Sequence, residues 1–203
     1  FKKVWRTLFV ITIAVPQFVS LLLMRNFLND HGPLNGLLQT LHLTNGPIPF
    51  LTDPLWAKFS IIFVNMWIGI PFTMLVATGI IMNLPTEQIE AAEIDGASKF
   101  QIFKSITFPQ ILLIMAPSLI QQFIGNINNF NVIYFLTGGG PTNSEYYQAG
   151  STDLLVTWLY KLTVSAKDYN LASVIGILIF AISATFSLLA YTRSSSFKEG
   201  AAK

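Results

Sequence analysis

Four uncharged, strongly hydrophobic stretches alternate with polar segments along the chain. They cover residues 7–24, 59–82, 110–134 and 171–191. Each approaches or exceeds the roughly 20 residues that a helix needs to cross a bilayer. Pro16 lies inside the first stretch, and a membrane helix tolerates such a proline as a kink when its neighbours satisfy the freed carbonyl. The pattern therefore predicts an all-α integral membrane protein in which residues 1–203 form a single transmembrane domain with four transmembrane helices.

The composition supports this prediction. Hydrophobic residues make up 52% of the chain and charged residues 11%, and the mean hydropathy is +0.56. A soluble core of this size could not bury so much apolar surface. The absence of cysteine excludes disulfide frameworks and thiolate metal sites, and the net charge of +2 is too small to indicate a nucleic-acid partner. The chain begins at Phe1 without a signal-peptide pattern, so we expect at least one earlier helix to precede it.

The polar segment at residues 84–109 predicts two short helices. Thr86 is predicted to cap the first helix, which carries glutamates near its start, where they suit the positive end of the helix dipole. Gly96 is predicted to end it, because a helix terminus often needs a left-handed backbone that glycine adopts easily. Ser98 opens the second helix with the Ser-x-x-Gln pattern of a capping box, and Pro109 is predicted to close it.

This segment resembles the EAA loop of the permease subunits of bacterial ATP-binding cassette (ABC) importers, with Glu90-Ala91-Ala92, Gly96 and Pro109 in the matching positions. In that family the loop forms coupling helices, which sit in a cleft on the ATP-hydrolysing subunit and pass its movement to the transmembrane helices. The resemblance implies that the coupling residues are Glu90, Ala91, Ala92, Asp95, Gly96, Phe100, Phe103 and Pro109. The loop alone leaves open the alternative of a solvated helix pair between two spans.

The distribution of basic residues predicts the orientation in the membrane. With four spans, both termini and the EAA segment share one side, which holds Lys2, Lys3, Arg6, Lys99, Lys104, Arg193, Lys198 and Lys203. The opposite side holds only Arg25, Lys58, Lys161 and Lys167. Because Lys and Arg accumulate on the cytoplasmic side, we expect both termini and the EAA segment in the cytoplasm.

The predicted external loops at residues 25–58 and 137–168 are both candidates for docking a soluble partner. The first contains three turn signals with proline and is expected to fold back on the membrane surface. The second begins with a flexible break at residues 137–141 and continues into an amphipathic or re-entrant helix at residues 152–160.

Side-chain amides are concentrated in the third hydrophobic stretch, which contains Gln121, Gln122, Asn126, Asn128, Asn129 and Asn131. One helical face, spaced i, i+3, i+4 and i+7, is formed by Gln122, Gly125, Asn126 and Asn129. The second stretch repeats the arrangement with Asn65, Ile68, Gly69 and Phe72. Two helices thus each carry a stripe of amide, glycine and apolar surface at the depth of the membrane.

These stripes suit a neutral polyhydroxyl ligand. Amides both donate and accept hydrogen bonds, and the rings of Trp67, Phe72 and Phe123 can cover the apolar faces of sugars. The alternative is that the amides bond helix to helix and that the glycines allow close packing, as is common in membrane bundles.

Residues 126–133, 136–141 and 150–156 resemble MalF-type permease subunits of bacterial maltose and maltodextrin importers, and residues 65–71 and 169–173 fit the same family. The resemblance implies a type I ABC importer permease fold. It also implies a sugar site within the membrane, formed by Asn65, Ile68, Gly69, Phe72, Gln122, Gly125, Asn126 and Asn129.

Three of these positions depart from the family. The chain has Phe72, Gln122 and Gly125 where the family can have Tyr, Ser and Phe, so it lacks one hydroxyl and one stacking ring. The exact sugar and its chain length are therefore left open.

The resemblance implies the transmembrane subunit of an ATP-driven importer that moves maltose or maltodextrin across the bacterial cytoplasmic (inner) membrane by alternating access. The implied partners are a second, MalG-like permease, two ABC ATPase subunits, an extracellular or periplasmic sugar-binding protein and membrane lipid. The chain has no GxxxxGK[ST] pattern, since Gly138-Gly139-Gly140 is followed by Pro141. We therefore expect no enzymatic activity and no bound cofactor here, and expect ATP and Mg²⁺ on the partner ATPase.

Other functions fit the sequence less well. A permease of the same family for another neutral oligosaccharide or for a glycerol phosphate is the main alternative. The second and third stretches contain no cation, which argues against an anionic ligand; Lys58 lies just before the second stretch. A non-ABC channel or scaffold leaves the EAA pattern unexplained. An intramembrane hydrolase needs a nucleophile and a base at membrane depth, whereas His31 and His42 lie in the first loop. With Asp30 they are expected to be surface polar residues and not a metal site.

Overall fold

A computed structural model describes residues 2–193, and they fold into helices joined by turns. The α-helices are α1 Lys2–Ala14, α2 Gln17–Phe27, α3 Pro33–Thr40, α4 Pro54–Met82, α5 Thr86–Ile94, α6 Lys99–Ile102, α7 Phe108–Ile127, α8 Phe130–Leu136, α9 Leu155–Lys161 and α10 Tyr169–Arg193. Across residues 2–193 there is no β-strand, and the all-α prediction is confirmed. Lys198 and Lys203, which contributed to the predicted orientation, lie outside the described residues.

Within residues 2–193, three helices are long and apolar enough to cross a membrane. They are Pro54–Met82, Lys99–Ile127 and Tyr169–Thr192. The first and the last contain the stretches predicted at residues 59–82 and 171–191. These two stretches are thus single continuous helices.

The stretch at residues 7–24 is two helices and not one continuous helix. Helix α1 ends at Ala14 and α2 begins at Gln17, with Pro16 between them in an extended conformation (ψ 132°). Proline lacks an N–H group and disfavours helix in the residue before it, so the helix ends here. With 13 and 11 residues, each piece is shorter than the roughly 20 that cross a bilayer.

The third predicted stretch, at residues 110–134, differs at both ends. Its helix begins at Lys99, within the segment predicted as a loop, and continues through a π-helical turn at Phe103–Thr107 into α7. The prediction that Pro109 ends a helix is wrong. Pro109 is the second residue of α7, directly after the π turn, and the helix continues past it. At the other end the helix stops at Ile127.

The described residues form two compact units, with boundaries inside α4, α7 and α10. The first unit comprises residues 2–71 and 125–183, and the second comprises residues 72–124 and 184–193. The main core lies in the first unit, where α2, α4 and α8 bury Leu21, Leu28, Val64, Val132 and Leu136. A smaller cluster in the same unit packs the π turn after α9 on α10 through Leu162, Ala172 and Ile175.

The first loop, residues 28–53, is folded around the buried side chain of Asn35, which is 1% exposed. Its Nδ2 donates to the carbonyl oxygens of Asn29 at 3.2 Å and Ile48 at 3.0 Å. Its Oδ1 accepts from the Ile48 N–H at 2.8 Å. Leu34 and Phe50 pack against the main core. One side chain therefore fixes the path of the whole loop against the first unit.

Replacing Asn35 is expected to destabilise this loop. In Asn35→Ala, two carbonyls and one N–H lose their partners, and each buried group left unsatisfied costs about 1–3 kcal/mol. We expect a clear fall in the midpoint of thermal unfolding, measured by fluorescence in detergent. Asn45→Ala, at an exposed position of the same loop, is the matched control and should leave the midpoint unchanged. Equal midpoints for the two variants would contradict the role of Asn35.

Candidate functional site

Asn65, Asn126 and Asn129 are joined by side-chain hydrogen bonds in the first unit. Asn65 Nδ2 donates to Asn126 Oδ1 at 2.9 Å, and Asn129 Nδ2 donates to Asn65 Oδ1 at 2.9 Å. Asn65 lies on α4 and Asn126 lies in the last turn of α7. The first-unit amides of the two predicted stripes are therefore in direct contact.

Asn129 does not continue the helical face predicted for it. Helix α7 ends two residues earlier, and Asn129 adopts φ −78° and ψ 80° as the N-cap of α8. Its Oδ1 accepts from the Val132 N–H at 3.3 Å. Asparagine favours such positions because its short side chain replaces a missing backbone partner. The helix break thus turns Asn129 towards α4 while its side chain caps α8.

Two further amides tie the same short segment to other helices. Asn128 Nδ2 donates to Ser183 Oγ on α10 at 2.9 Å, and Asn131 Nδ2 donates to Gln17 Oε1 on α2 at 3.4 Å. We call residues 126–131 the amide junction. Its bonds are the helix-to-helix contacts that the sequence left open as an alternative, so these amides have a structural role.

The amide junction retains hydrogen-bonding capacity for a ligand. A carboxamide offers two N–H groups and two lone pairs, and one bond to Asn65 uses a single lone pair of Asn126. The Asn126 side chain is exposed, whereas Asn65 and Asn129 are half-buried. A hydroxyl group, which both donates and accepts, can therefore bind there without breaking the contacts between the helices.

The remaining predicted site residues of the first unit have different surroundings. Ile68 packs against the main core and contributes apolar surface. A Cβ atom added to Gly69 or Gly125 would meet no heavy atom within 4 Å in the described structure. These two glycines leave open surface instead of enabling the close helix packing that was the alternative explanation for them.

Phe72 and Gln122 belong to the second unit. The Phe72 ring is 53% exposed. Gln122 Oε1 accepts from the Thr73 hydroxyl at 3.0 Å, while its Nε2 is buried and has no hydrogen-bond partner among residues 2–193. A buried donor without a partner is uncommon in native structures. Gln122 therefore offers a donor to a molecule that approaches this side chain.

The EAA segment in the second unit is a helix, a left-handed turn and a second helix. Helix α5 ends at Ile94, and Gly96 follows with φ +79°, as predicted. The predicted capping box is confirmed: Ser98 and Gln101 each bond the other's backbone N–H. The prediction that Thr86 caps α5 is wrong. Pro85 occupies the N-cap and Thr86 is the first helical residue, without a side-chain capping bond.

Most of the predicted coupling residues of this segment are accessible. Glu90, Ala91, Asp95, Gly96, Phe100, Phe103 and Pro109 are exposed, and Ala92 is half-buried. Phe100 is 71% exposed. Ile94, which the sequence interpretation missed, is 87% exposed. Large apolar side chains exposed in a polar segment mark an interaction surface. Ile94 could have been found from its position, since it stands alone between Glu93 and Asp95.

A buried ion pair holds the second loop, residues 137–168. Lys161 Nζ lies 2.6 Å from Asp153 Oδ2, and the Asp153 side chain is only 3% exposed. The Gly150 N–H donates to the same oxygen at 2.7 Å. A Cβ atom on Gly139 would lie 1.9 Å from Asp153 Oδ1. The glycine run is therefore a turn packed on the ion pair, and the prediction of a flexible break is wrong.

Aromatic rings connect the second loop to α8. Phe130 stacks on Tyr134 with centroids 4.9 Å apart, and Tyr160 meets both rings edge-on at 5.2 Å. A side-chain hydrogen bond with Tyr134 raises the pKa of Tyr160 above its ordinary value. Helix α9 is thereby fixed next to the amide junction.

Comparison with known proteins points in one direction. The profile of the family described as "Binding-protein-dependent transport system inner membrane component" matches residues 1–196. The galactooligosaccharides transport system permease protein GanP of Bacillus subtilis is 40% identical over 99% of this chain and 48% of its own length. The maltodextrin transport system permease protein MalC of Streptococcus pneumoniae is 37% identical over 97% of this chain and 47% of its own length. The chain thus spans about half the length of these curated relatives.

A solved structure shares the fold. In the crystal structure of a bacterial ABC transporter involved in the import of the acidic polysaccharide alginate, one chain is 25% identical to this one. It superposes with a TM-score of 0.80 over 95% of this chain and 65% of that chain. The predicted permease fold is confirmed by this likeness.

The double role of Asn129 can be tested by separating its two bonds. Asn129→Asp keeps a good N-cap for α8 but cannot donate to Asn65 when ionised, whereas Asn129→Ala loses both contacts. Loss of the cap should weaken α8 by about 1 kcal/mol. We therefore expect hydrogen–deuterium exchange in residues 130–136 to accelerate in Asn129→Ala and to stay near the original rate in Asn129→Asp. Equal acceleration in both variants would show that the bond to Asn65, and not the cap, holds α8.

Proposed function

Because the chain belongs to the family of inner membrane components of binding-protein-dependent transport systems, we propose that it is the transmembrane subunit of an ATP-driven importer of neutral oligosaccharides. The observation that carries the substrate class is the group of bonded amides Asn65, Asn126 and Asn129, of which the first two lie in helices long enough to cross a membrane and the third caps the short helix α8. Polar side chains within membrane helices are costly and usually functional. Amides without neighbouring charges suit hydroxyl groups better than ions.

We propose maltodextrins as the substrate. Two relatives support this substrate. The maltodextrin permease protein MalC and the maltose/maltodextrin permease protein MalF of Vibrio parahaemolyticus each match nearly the whole of this chain, at 37% identity. Galactooligosaccharides are the second candidate, because GanP is 40% identical to the chain. An acidic sugar or a glycerol phosphate is disfavoured, since the sequence has no Lys or Arg between residues 59 and 98 or between residues 105 and 160.

In this proposal the open surface at Gly69 and Gly125 receives a sugar beside Asn126, and Ile68 supports it from the apolar side. Asn65 and Asn129 hold Asn126 in place and offer their remaining donors. We propose separately that, in the second unit by itself, the Nε2 of Gln122 binds a hydroxyl group and Phe72 covers an apolar sugar face. Each such bond replaces one with water, so it contributes about 0.5–1.5 kcal/mol.

The EAA segment is proposed to bind a partner ATPase in the cytoplasm. Ile94 and Phe100 provide exposed apolar anchors next to a shallow depression that includes Ala92, Gly96 and Gln101. The helix that begins at Lys99 in this segment continues to Ile127 and is long enough to cross a membrane. Two such ATPase subunits, carrying ATP and Mg²⁺, a second, MalG-like permease and a sugar-binding protein outside the membrane would complete the transporter. The charged second loop is the proposed contact for the binding protein.

The substrate can be identified by ATPase stimulation. The full-length permease is purified with its associated subunits and assayed with binding protein and maltose, maltotriose, a galactooligosaccharide or an alginate oligosaccharide. We expect co-purification of an ATPase whose activity rises with maltodextrins and not with alginate. Stimulation by the galactooligosaccharide alone would transfer the assignment to the second candidate. Purification without any ATPase would overturn the importer proposal itself.

Coupling can be tested at Gly96. A valine there must adopt φ +79°, a conformation that β-branched residues avoid, so Gly96→Val should distort the turn between α5 and α6 without touching the amides. We expect sugar binding to persist while uptake no longer follows ATP hydrolysis in proteoliposomes. The control is Gly79→Val in α4, where an added Cβ atom would meet no heavy atom within 4 Å. Normal uptake by Gly96→Val would argue against a coupling role for the turn.

A further inference from the structure

Three leucines form an apolar face on the first loop. Leu37 lies in α3, Leu41 follows one helical turn later as the C-cap, and Leu43 comes two residues after it. Their side chains are 54%, 57% and 67% exposed. We call these three residues the leucine face. Large leucines exposed together on a short loop indicate a surface that meets another apolar phase.

The leucine face is held in a fixed conformation by the backbone behind it. The Leu43 N–H donates to the Leu38 carbonyl at 2.9 Å, and the His42 N–H donates to the Gln39 carbonyl at 3.0 Å. These bonds fold the chain back on α3 at His42, which has φ +56°. On the inner side, Leu34 packs on the main core and Asn35 is fully hydrogen-bonded. The exposed leucines are therefore presented by an ordered scaffold.

The charge pattern distinguishes the two loops. Between Asp30 and Asp53 the sequence contains no Asp, Glu, Lys or Arg. The second loop, by contrast, contains Glu145, Asp153, Lys161, Lys167 and Asp168. Reversible contacts between soluble proteins have polar, charged rims that steer and orient the partner. The first loop has no such rim within residues 31–52, whereas an uncharged apolar face suits lipid.

The first loop, which carries the leucine face, leads directly into a membrane helix. Helix α4, which is long enough to cross a bilayer, begins at Pro54 directly after the loop. Trp56 lies in its first turn, 43% exposed and edge-on to Phe50 of the loop at 5.5 Å. Tryptophan concentrates at the boundary between lipid and water, where its ring is amphipathic. Trp56 thus places the end of the loop at the level of the lipid headgroups.

We propose that the leucine face inserts into the lipid–water interface, so that the first loop is an interfacial anchor whose partner is the bilayer and not a soluble protein. Short amphipathic segments bind this region with their apolar side between headgroups and acyl chains. The anchor would hold the ends of α2 and α4 at one depth. The proposal requires only that the chain is embedded in a membrane, and it stands or falls independently of the transported sugar.

The absence of cysteine from the chain allows a direct test. Leu41→Cys is labelled with an environment-sensitive NBD fluorophore in the full-length permease, freed of any other cysteine and reconstituted with its subunits in nanodiscs. Leu37→Cys is the second position, and Tyr146→Cys, 64% exposed on the second loop, is the control. Emission is recorded with aqueous iodide, with lipids carrying a doxyl quencher near the headgroup, and with saturating binding protein.

We expect the labels at positions 37 and 41 to emit at shorter wavelength, to be quenched by the doxyl lipid and to be several-fold less sensitive to iodide than the label at position 146. Addition of binding protein should leave them unchanged. Iodide quenching equal to that at position 146, without doxyl quenching, would overturn the proposal. So would protection of positions 37 and 41 that appears only with the binding protein, since the face would then dock a protein.

Discussion

Hydrogen bonds between side-chain amides on different helices tie the first unit together. Asn128, Asn129 and Asn131 each donate to a side chain on a different helix, so α10, α4 and α2 are all tied to one short segment. The interruption between α7 and α8 lies within the same segment, and it creates the N-terminus that Asn129 caps. The main core forms on the far side of the same junction, where Val132 and Leu136 of α8 meet Leu21 of α2.

A second constraint acts at the EAA segment, where a stiff helix has to begin at a defined angle. The positive φ of Gly96 and the reciprocal bonds of Ser98 and Gln101 fix where the second helix begins. The π turn that follows widens the helix by one residue per turn and allows it to pass Pro109 without stopping. The result is a helix that continues without interruption from Lys99 to Ile127.

The sequence was informative wherever local chemistry decides structure. Gly96, the Ser98 capping box and the long apolar helices follow from backbone preference, capping geometry and hydropathy, all of which act within a few residues. It was misleading where distant contacts decide. Pro109 is tolerated because of the preceding π turn, and the glycine run at Gly139 is rigid because Asp153 and Lys161 pack on it. Likewise, helical periodicity predicted that Asn129 shares a face with Gln122. In the structure Asn129 is instead the N-cap of α8 and is bonded to another helix. The spacing of residues along the sequence does not reveal a helix end that depends on contacts with other helices.

The bonded amides also have a polarity. The backbone N–H of Val132 can only donate, so Asn129 must turn its oxygen towards it and its nitrogen towards Asn65. Asn65 is thereby forced to turn its own nitrogen towards Asn126, whose oxygen is occupied in turn. The Val132 N–H thus determines, through Asn129 and Asn65, which end of the exposed Asn126 carboxamide remains available. Because the Asn126 oxygen already accepts from Asn65, the NH₂ group is the part of this exposed carboxamide that is left to donate to another molecule.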